Sequence, residues 1–201
     1  MAVMRPPIDA GPTLLRIARA SIAHALGREP VDDESAAWLL EPGACFVTLR
    51  QHGRLRGCIG TLQPYRSLLA DVKANAVAAA LQDSRFAPLP AAELAGTEVE
   101  VSLLSPMQPM HFASEANALA QLQPGIDGVV LQCRGRRSTF LPQVWEQLPG
   151  RAEFVAQLKA KAGLPASFWS DDVRLKRYTV TKWKESDPPV GRVRDPAARA
   201  A

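Results

Sequence analysis

Metal-ligand spacing, paired cysteines and long apolar runs are all missing from this chain, and each absence removes a class of function. The three cysteines, Cys45, Cys58 and Cys133, form no C-x-x-C pair, and an odd number is a poor disulfide framework. His24, His52 and His111 are scattered without the spacing of a metal site, so neither zinc nor a cluster is implied. No stretch approaches the roughly 18 apolar residues needed to cross a bilayer, and Met1–Pro12 lacks a charged-then-apolar signal pattern. The expectation is a cytoplasmic protein with no membrane role. A Walker loop, a dinucleotide fingerprint and a serine nucleophile elbow are also absent, so no cofactor is expected.

What is present suits an ordinary globular chain. The 201 residues are 47% hydrophobic and 22% charged, enough for one sizeable core or two small fused ones. The net charge of +4 is unevenly spread. Residues 134–185 hold eleven Lys or Arg against five Asp or Glu, whereas residues 1–133 hold ten against thirteen. Arg134, Arg136 and Arg137 read as a hairpin tip, and Arg174, Lys176, Lys182 and Lys184 fall on one parity of a strand over about 173–183. The opposite parity bears Val173, Leu175 and Trp183, as in a half-buried strand with a solvated outer face. No nucleic-acid motif or stacking platform accompanies the charge, which argues against a nucleic-acid partner.

Leu55-Arg56-Gly57-Cys58-Ile59-Gly60-Thr61 is the stretch around which the chain is organised. If extended, it places Leu55 and Ile59 on one face and Arg56 and Cys58 on the other, about 7 Å apart along the strand. Two glycines within four residues predict that a backbone, a bulge or a ligand approaches closely. An arginine beside a thiol favours thiolate, making Cys58 a candidate nucleophile, although free cysteines are more commonly inert core. Thr13 offers an N-cap to a helix ended by Gly27, and a short helix from Asp33 packs Trp38. Strand 45–49 pairs with the heptapeptide across Gln51-His52-Gly53, and a helix follows over about 66–82 with a small-residue stripe. In the loop after it, Asp83 and Arg85 either pair structurally or leave Arg85 to join Arg56 as a clamp for a small anionic ligand.

Glu98, Glu100 and Ser102 alternate with Val99, Val101 and Leu103 in a further strand, and Arg56 is expected to pair with Glu98, Glu100 or Asp83. A helix over 114–122, a second hairpin around the arginine-rich tip, a helix over 152–162 and the last strand then repeat the order hairpin, helix, strand, a hint of a duplicated unit. Residues 1–12 read as a loose lead-in and 186–201 as a disordered tail. The fold expected is α+β, with mixed, largely antiparallel sheet in two intimately packed unequal subdomains, the second completed by the N-terminal helix.

The heptapeptide resembles the signature of the AMMECR-like family, called the A component of the AmmeMemoRadiSam system. Phe46-Val47-Thr48-Leu49, Asp83-Ser84-Arg85-Phe86-Ala87-Pro88-Leu89, Glu98–Leu104, Gly125-Ile126-Asp127-Gly128, Phe140-Leu141-Pro142-Gln143-Val144 and Lys161-Ala162-Gly163-Leu164 extend the resemblance, in the family's order, over about 13–185. It implies one domain of two unequal lobes with the heptapeptide near a cleft. It also implies an accessory or binding role in a modification pathway with Memo-like and radical-SAM proteins. The alternative is a thiol-dependent enzyme acting on a small anionic substrate. Cys58 is the catalytic candidate, and Arg56, Gly57, Gly60, Thr61, Asp83, Arg85 and Glu100 are the binding candidates. The chain lacks the three-cysteine motif of a radical-SAM enzyme. It departs from many relatives by having Lys159 where they have a cysteine and Asp127 where they have a histidine.

Overall fold

A computed structural model describes residues 7, 10–28 and 34–187. The lead-in before Pro7, the expected helix start at Asp33 and the tail from residue 188 lie outside them. The chain divides into two compact units, Leu104–Thr181 forming one and the segments on either side of it the other.

In the first unit, helix α1 runs Ala10–Ala25, beginning before the expected cap at Thr13. Pro12 sits in its first turn, where a missing N–H and a fixed φ do no harm. Leu14, Ile17, Ala18 and Ile22 bury the apolar stripe, and Gly27, at φ 78°, ends the helix. Among the described residues before the first strand, a short 3-10 turn, Ala37–Leu40, follows and buries Leu39. Strands β1 (Cys45–Gln51) and β2 (Arg54–Gly60) form an antiparallel hairpin. Its two turn residues, His52 and Gly53, have φ 50° and 74°, the left-handed pair that matches strand twist. Helix α2 (Leu68–Leu81) is capped by the Ser67 hydroxyl, which accepts from Ala70 N at 3.3 Å. Strand β3 (Glu98–Leu104) pairs with β1 on the side away from β2. Cys45, Val47, Leu49, Val99 and Val101 from the sheet, with Val72, Ala76 and Ala79 from α2 and the stripe of α1, form one core. The N-terminal helix therefore completes this unit and not the other.

The second unit repeats the plan. After a two-residue β4 (Gln108–Pro109) and a short α3 (Glu115–Gln121), β5 (Gly128–Cys133) and β6 (Arg136–Phe140) form a hairpin. It turns on Arg134 and Gly135, both at positive φ. Helix α4 (Arg151–Lys161) leads to β7 (Arg174–Tyr178), which pairs antiparallel with β5. Hairpin, helix and third strand thus give the same order in each sheet, with the first hairpin strand between the second and the strand after the helix. The core holds Val129, Leu131 and Cys133 with Phe154, Val155, Leu158 and Trp145, whose ring stacks on Phe154 at 3.7 Å.

The expected last strand is two strands. After β7 the chain is exposed at Thr179 and continues as β8 (Val180–Lys184), which joins the first sheet beside β3, so the sheet orders are β2-β1-β3-β8 and β4-β7-β5-β6. Arg174 and Lys176 therefore belong to one sheet and Lys182 and Lys184 to the other, and the single basic row anticipated from parity does not exist. Trp183 lies against Gly11 of α1, and Glu185 pairs with Arg19 of the same helix and accepts from Val99 N at 2.8 Å, tying this last segment into the first unit. Among the described residues no helix is long and apolar enough to cross a membrane.

Candidate functional site

Strand alternation would set Arg56 beside Cys58, but the register breaks between them. Leu49 opposes Gly57 whereas Arg50 opposes Leu55, leaving Arg56 as the extra residue of a β-bulge. Beyond the bulge the parity is reversed. Gly57 and Ile59 lie opposite Leu49 and Val47, on the face that packs against α2. Cys58 opposes Thr48 and Leu55 opposes Arg50, on the other face. Leu55, expected in the core, is 39% exposed and shares a face with Cys58, and Arg56 does not. The Arg56 Nε lies 3.8 Å from the exposed carboxylate of Glu93, not beside Glu98, Glu100 or Asp83, and its buried Nη1 has no hydrogen-bond partner among the described residues.

The outer face of this sheet carries a lateral row. Cys58, Thr48 and Glu100 are direct neighbours across β2, β1 and β3, each step about 4.8 Å. The Thr48 hydroxyl donates to Cys58 Sγ at 3.2 Å, and the thiol is half-buried. Glu100 is only 1% exposed and accepts from Arg50 Nε at 2.8 Å. Cys45 is fully buried in the core, and that burial, with the charge of Asp71 adding to it, pushes its thiol well above the ordinary cysteine range. As a nucleophile Cys45 is inert.

The loop after α2 reaches the motif directly. Ala79, near the C-terminal end of the helix, lies on Gly57: a Cβ there would sit 2.1 Å from the Ala79 carbonyl oxygen. The close approach that the glycine permits is that of the protein's own helix. At Gly60 a Cβ would meet the Phe46 ring at 2.3 Å. Because β2 is a sheet edge, the Cys58 N–H and C=O point outward unpaired by any strand, and side chains take them up: Asp83 Oδ2 accepts from Cys58 N at 2.8 Å, while Arg85 donates to Cys58 O at 3.1 Å. Asp83 and Arg85 are joined at 2.7 and 2.9 Å, and together they act as a short stand-in strand. The Arg85 guanidinium, then the backbone N–H groups of Cys58 and Arg85, hold the Asp83 carboxyl far below the usual carboxylate range against the opposing effect of burial. Arg85 and Arg56 have different partners and form no joint clamp.

The family model AMMECR1 matches residues 15–183. The chain belongs to the AMMECR1 family. Among its relatives, a protein of Methanothermobacter thermautotrophicus is 36% identical over 183 residues, spanning 88% of this chain and 95% of its own. One from Thermotoga maritima is 36% identical, with 85% and 94% of the two chains covered. Of solved structures, that of the uncharacterized protein PH0010 from Pyrococcus horikoshii superposes with a TM-score of 0.73 at 30% identity, covering 90% of this chain and 94% of that one.

Next to the heptapeptide Leu55–Thr61 lies a polar cluster that reading the sequence missed. Asp71, fully buried on α2, accepts from Cys45 N at 2.9 Å, Thr61 Oγ1 at 2.6 Å, Asn75 Nδ2 at 3.0 Å and Arg66 Nε at 2.9 Å. Asn75 Nδ2 in turn donates to Cys45 O at 3.1 Å. The cluster fastens the start of β1 and the end of β2 to the helix, and it accounts for Thr61 without a ligand. Its signal was available: Asp71 and Asn75 are four apart on the same stripe as Val72, Ala76 and Ala79, so two polar groups had to be buried and satisfied. Asp127 likewise serves its turn, its carboxylate accepting from Gln123 N at 2.8 Å and its carbonyl from Trp145 Nε1 at 2.7 Å. Among the described residues no three His, Cys, Asp or Glu are placed to hold a metal ion.

Proposed function

We propose that this AMMECR1 chain is a binding component of a modification pathway, and that the outer face of its first sheet receives the partner at Leu55 and Cys58. The observation that carries this reading is the bulge at Arg56, which turns an apolar side chain out beside a half-buried thiol. Meanwhile Arg50 and Arg85 are each bonded to a carboxylate of the protein itself, and Arg56, whose Nη1 is unpaired among the described residues, lies beside Glu93 and apart from Arg85, so the arginines make no joint clamp for a small anion. An exposed leucine at a rigid strand end suits a protein surface better than a charged metabolite. The family resemblance supplies Memo-like and radical-SAM proteins as the partners to try first.

Reciprocal co-purification with those two proteins from the same genome tests this, comparing wild type with Leu55→Asp. Association that is lost in the variant at an unchanged melting temperature is the expected result. No association with either partner, or equal retention of the variant, refutes it.

One observation favours a second reading, a thiol-dependent enzyme. The Thr48 hydroxyl at 3.2 Å from Cys58 Sγ could stabilise a developing thiolate by hydrogen bonding. In that case Cys58 reacts with iodoacetamide in folded protein faster than Cys45 and Cys133, and Thr48→Val slows it. Labelling of Cys58 no faster than the two buried thiols removes this reading.

A further inference from the structure

Within the second unit, α3 and α4 run beside an open pocket of about 660 Å³. Ala116, Leu119, Ala152 and Ala156 supply its apolar wall, and it contains two charges of opposite sign. Lys159 is 2% exposed and donates from Nζ to Glu115 Oε1 at 2.8 Å; Glu115, on the same lining, is 34% exposed. An ammonium has three N–H donors and no acceptor capacity. One is taken by Glu115, and the Trp169 ring, 5.9 Å from Nζ, offers only a weaker electrostatic contact. No other acceptor for Lys159 is found among the described residues. A nearly buried cation with unspent donors, lining a cavity, is a place for an incoming oxygen.

The arrangement specifies more than an anion. The paired charges make the pocket close to neutral, so a ligand bearing a net charge would leave one of them opposed or unpaired. A ligand carrying both signs on neighbouring groups matches each. Its carboxylate would take the remaining Lys159 donors, its ammonium would face Glu115, and a short apolar side chain would lie on the alanines. We propose that this pocket binds a free α-amino acid with a small apolar side chain. The site lies wholly in the second unit, so it stands or falls independently of Cys58.

Titration of the full chain with L-valine, followed by ligand-observed NMR, tests the proposal against two analogues that each lack one charge, valinamide and N-acetylvaline. L-valine should bind, and each analogue should bind about ten-fold more weakly or worse, about 1.4 kcal/mol. Glu115→Gln alters a side chain a third exposed and should keep the fold while weakening L-valine about ten-fold. Lys159→Met should abolish binding if it folds, and the Glu115 variant decides the matter if it does not. Absence of L-valine binding at about 20 mM overturns the proposal, as does equal binding of all three compounds or unchanged affinity in Glu115→Gln.

Discussion

Replacing Gly57 by alanine places a methyl carbon 2.1 Å from the Ala79 carbonyl oxygen, where ordinary contact begins at 3.4 Å. More than an ångström must be found, and the atom in the way is helix backbone, not the tip of a flexible side chain. Either α2 moves off the hairpin, loosening Val72, Ala76 and Ala79 against β1, or β2 is pushed outward, straining the bonds from Asp83 and Arg85 to Cys58. Overpacking of this kind costs about 1–3 kcal/mol, and a rigid obstacle puts Gly57→Ala at the upper end, about 3 kcal/mol. For a chain of this length that is a fall in melting temperature of roughly 6–12 °C. Gly96→Ala is the control, since a Cβ there meets nothing within 4 Å. Thermal melts of the two variants against wild type measure the difference. If Gly57→Ala melts with the control, the glycine is not there for helix packing. If it also loses partner association, the close approach at the motif is that of a ligand.

Three further outcomes follow from the same contacts. Arg56→Met should leave stability within about 1 kcal/mol of wild type, and on the stabilising side, because it removes a buried Nη1 that is unpaired among the described residues while the neighbouring carboxylate, Glu93, is exposed to water; a loss of 3 kcal/mol in urea unfolding would mean that Arg56 holds a buried partner after all. Arg50→Met strands the buried Glu100 carboxylate; with Arg50 itself a third exposed and screened, the expected loss is about 2 kcal/mol, recovered in large part by adding Glu100→Gln in a double-mutant cycle. Asp83 has a folded pKa depressed below its unfolded value of about 3.9, so its contribution is fully present above that pH and is lost as pH falls below it towards the folded value. Wild type should therefore shed stability below about pH 4 more steeply than Asp83→Asn, and parallel acid profiles of the two proteins would refute the pairing as the source.

Much of the fold could be read directly because its signals are local. The two hairpin turns announce themselves through His52-Gly53 and Arg134-Gly135, the stripe of α2 through its small residues, and the helix ends through Gly27 and Gly163, both at positive φ. The break at Thr179 could not be read in this way. The apolar parity of Val173 and Leu175 lapses at Arg177 and shifts to Tyr178 and Val180, but that lapse alone does not show that the partner strand changes from β5 to β3. Pairing is decided by distant residues, and a strand that serves two sheets looks in sequence like one long strand.

The geometry of the candidate site was misread, for one reason. A period of two holds only while each residue opposes one partner, and the bulge at Arg56 is set by how β2 pairs with Leu49 and Arg50 of β1, which the motif alone does not show. One uncounted residue moved Leu55 from the core to the surface and separated Arg56 from Cys58. Without Arg56 beside it, Cys58 keeps a hydroxyl and a sheet edge closed by Asp83 and Arg85 as neighbours, each held by bonds within the protein. An edge closed by side chains, in place of a strand, is also one that a competing strand could open by displacing a single ion pair. On the proposed reading, a partner docking beside Leu55 would meet β2 at this exchangeable point, and it would compete with the Asp83–Arg85 pair for the same backbone groups of Cys58.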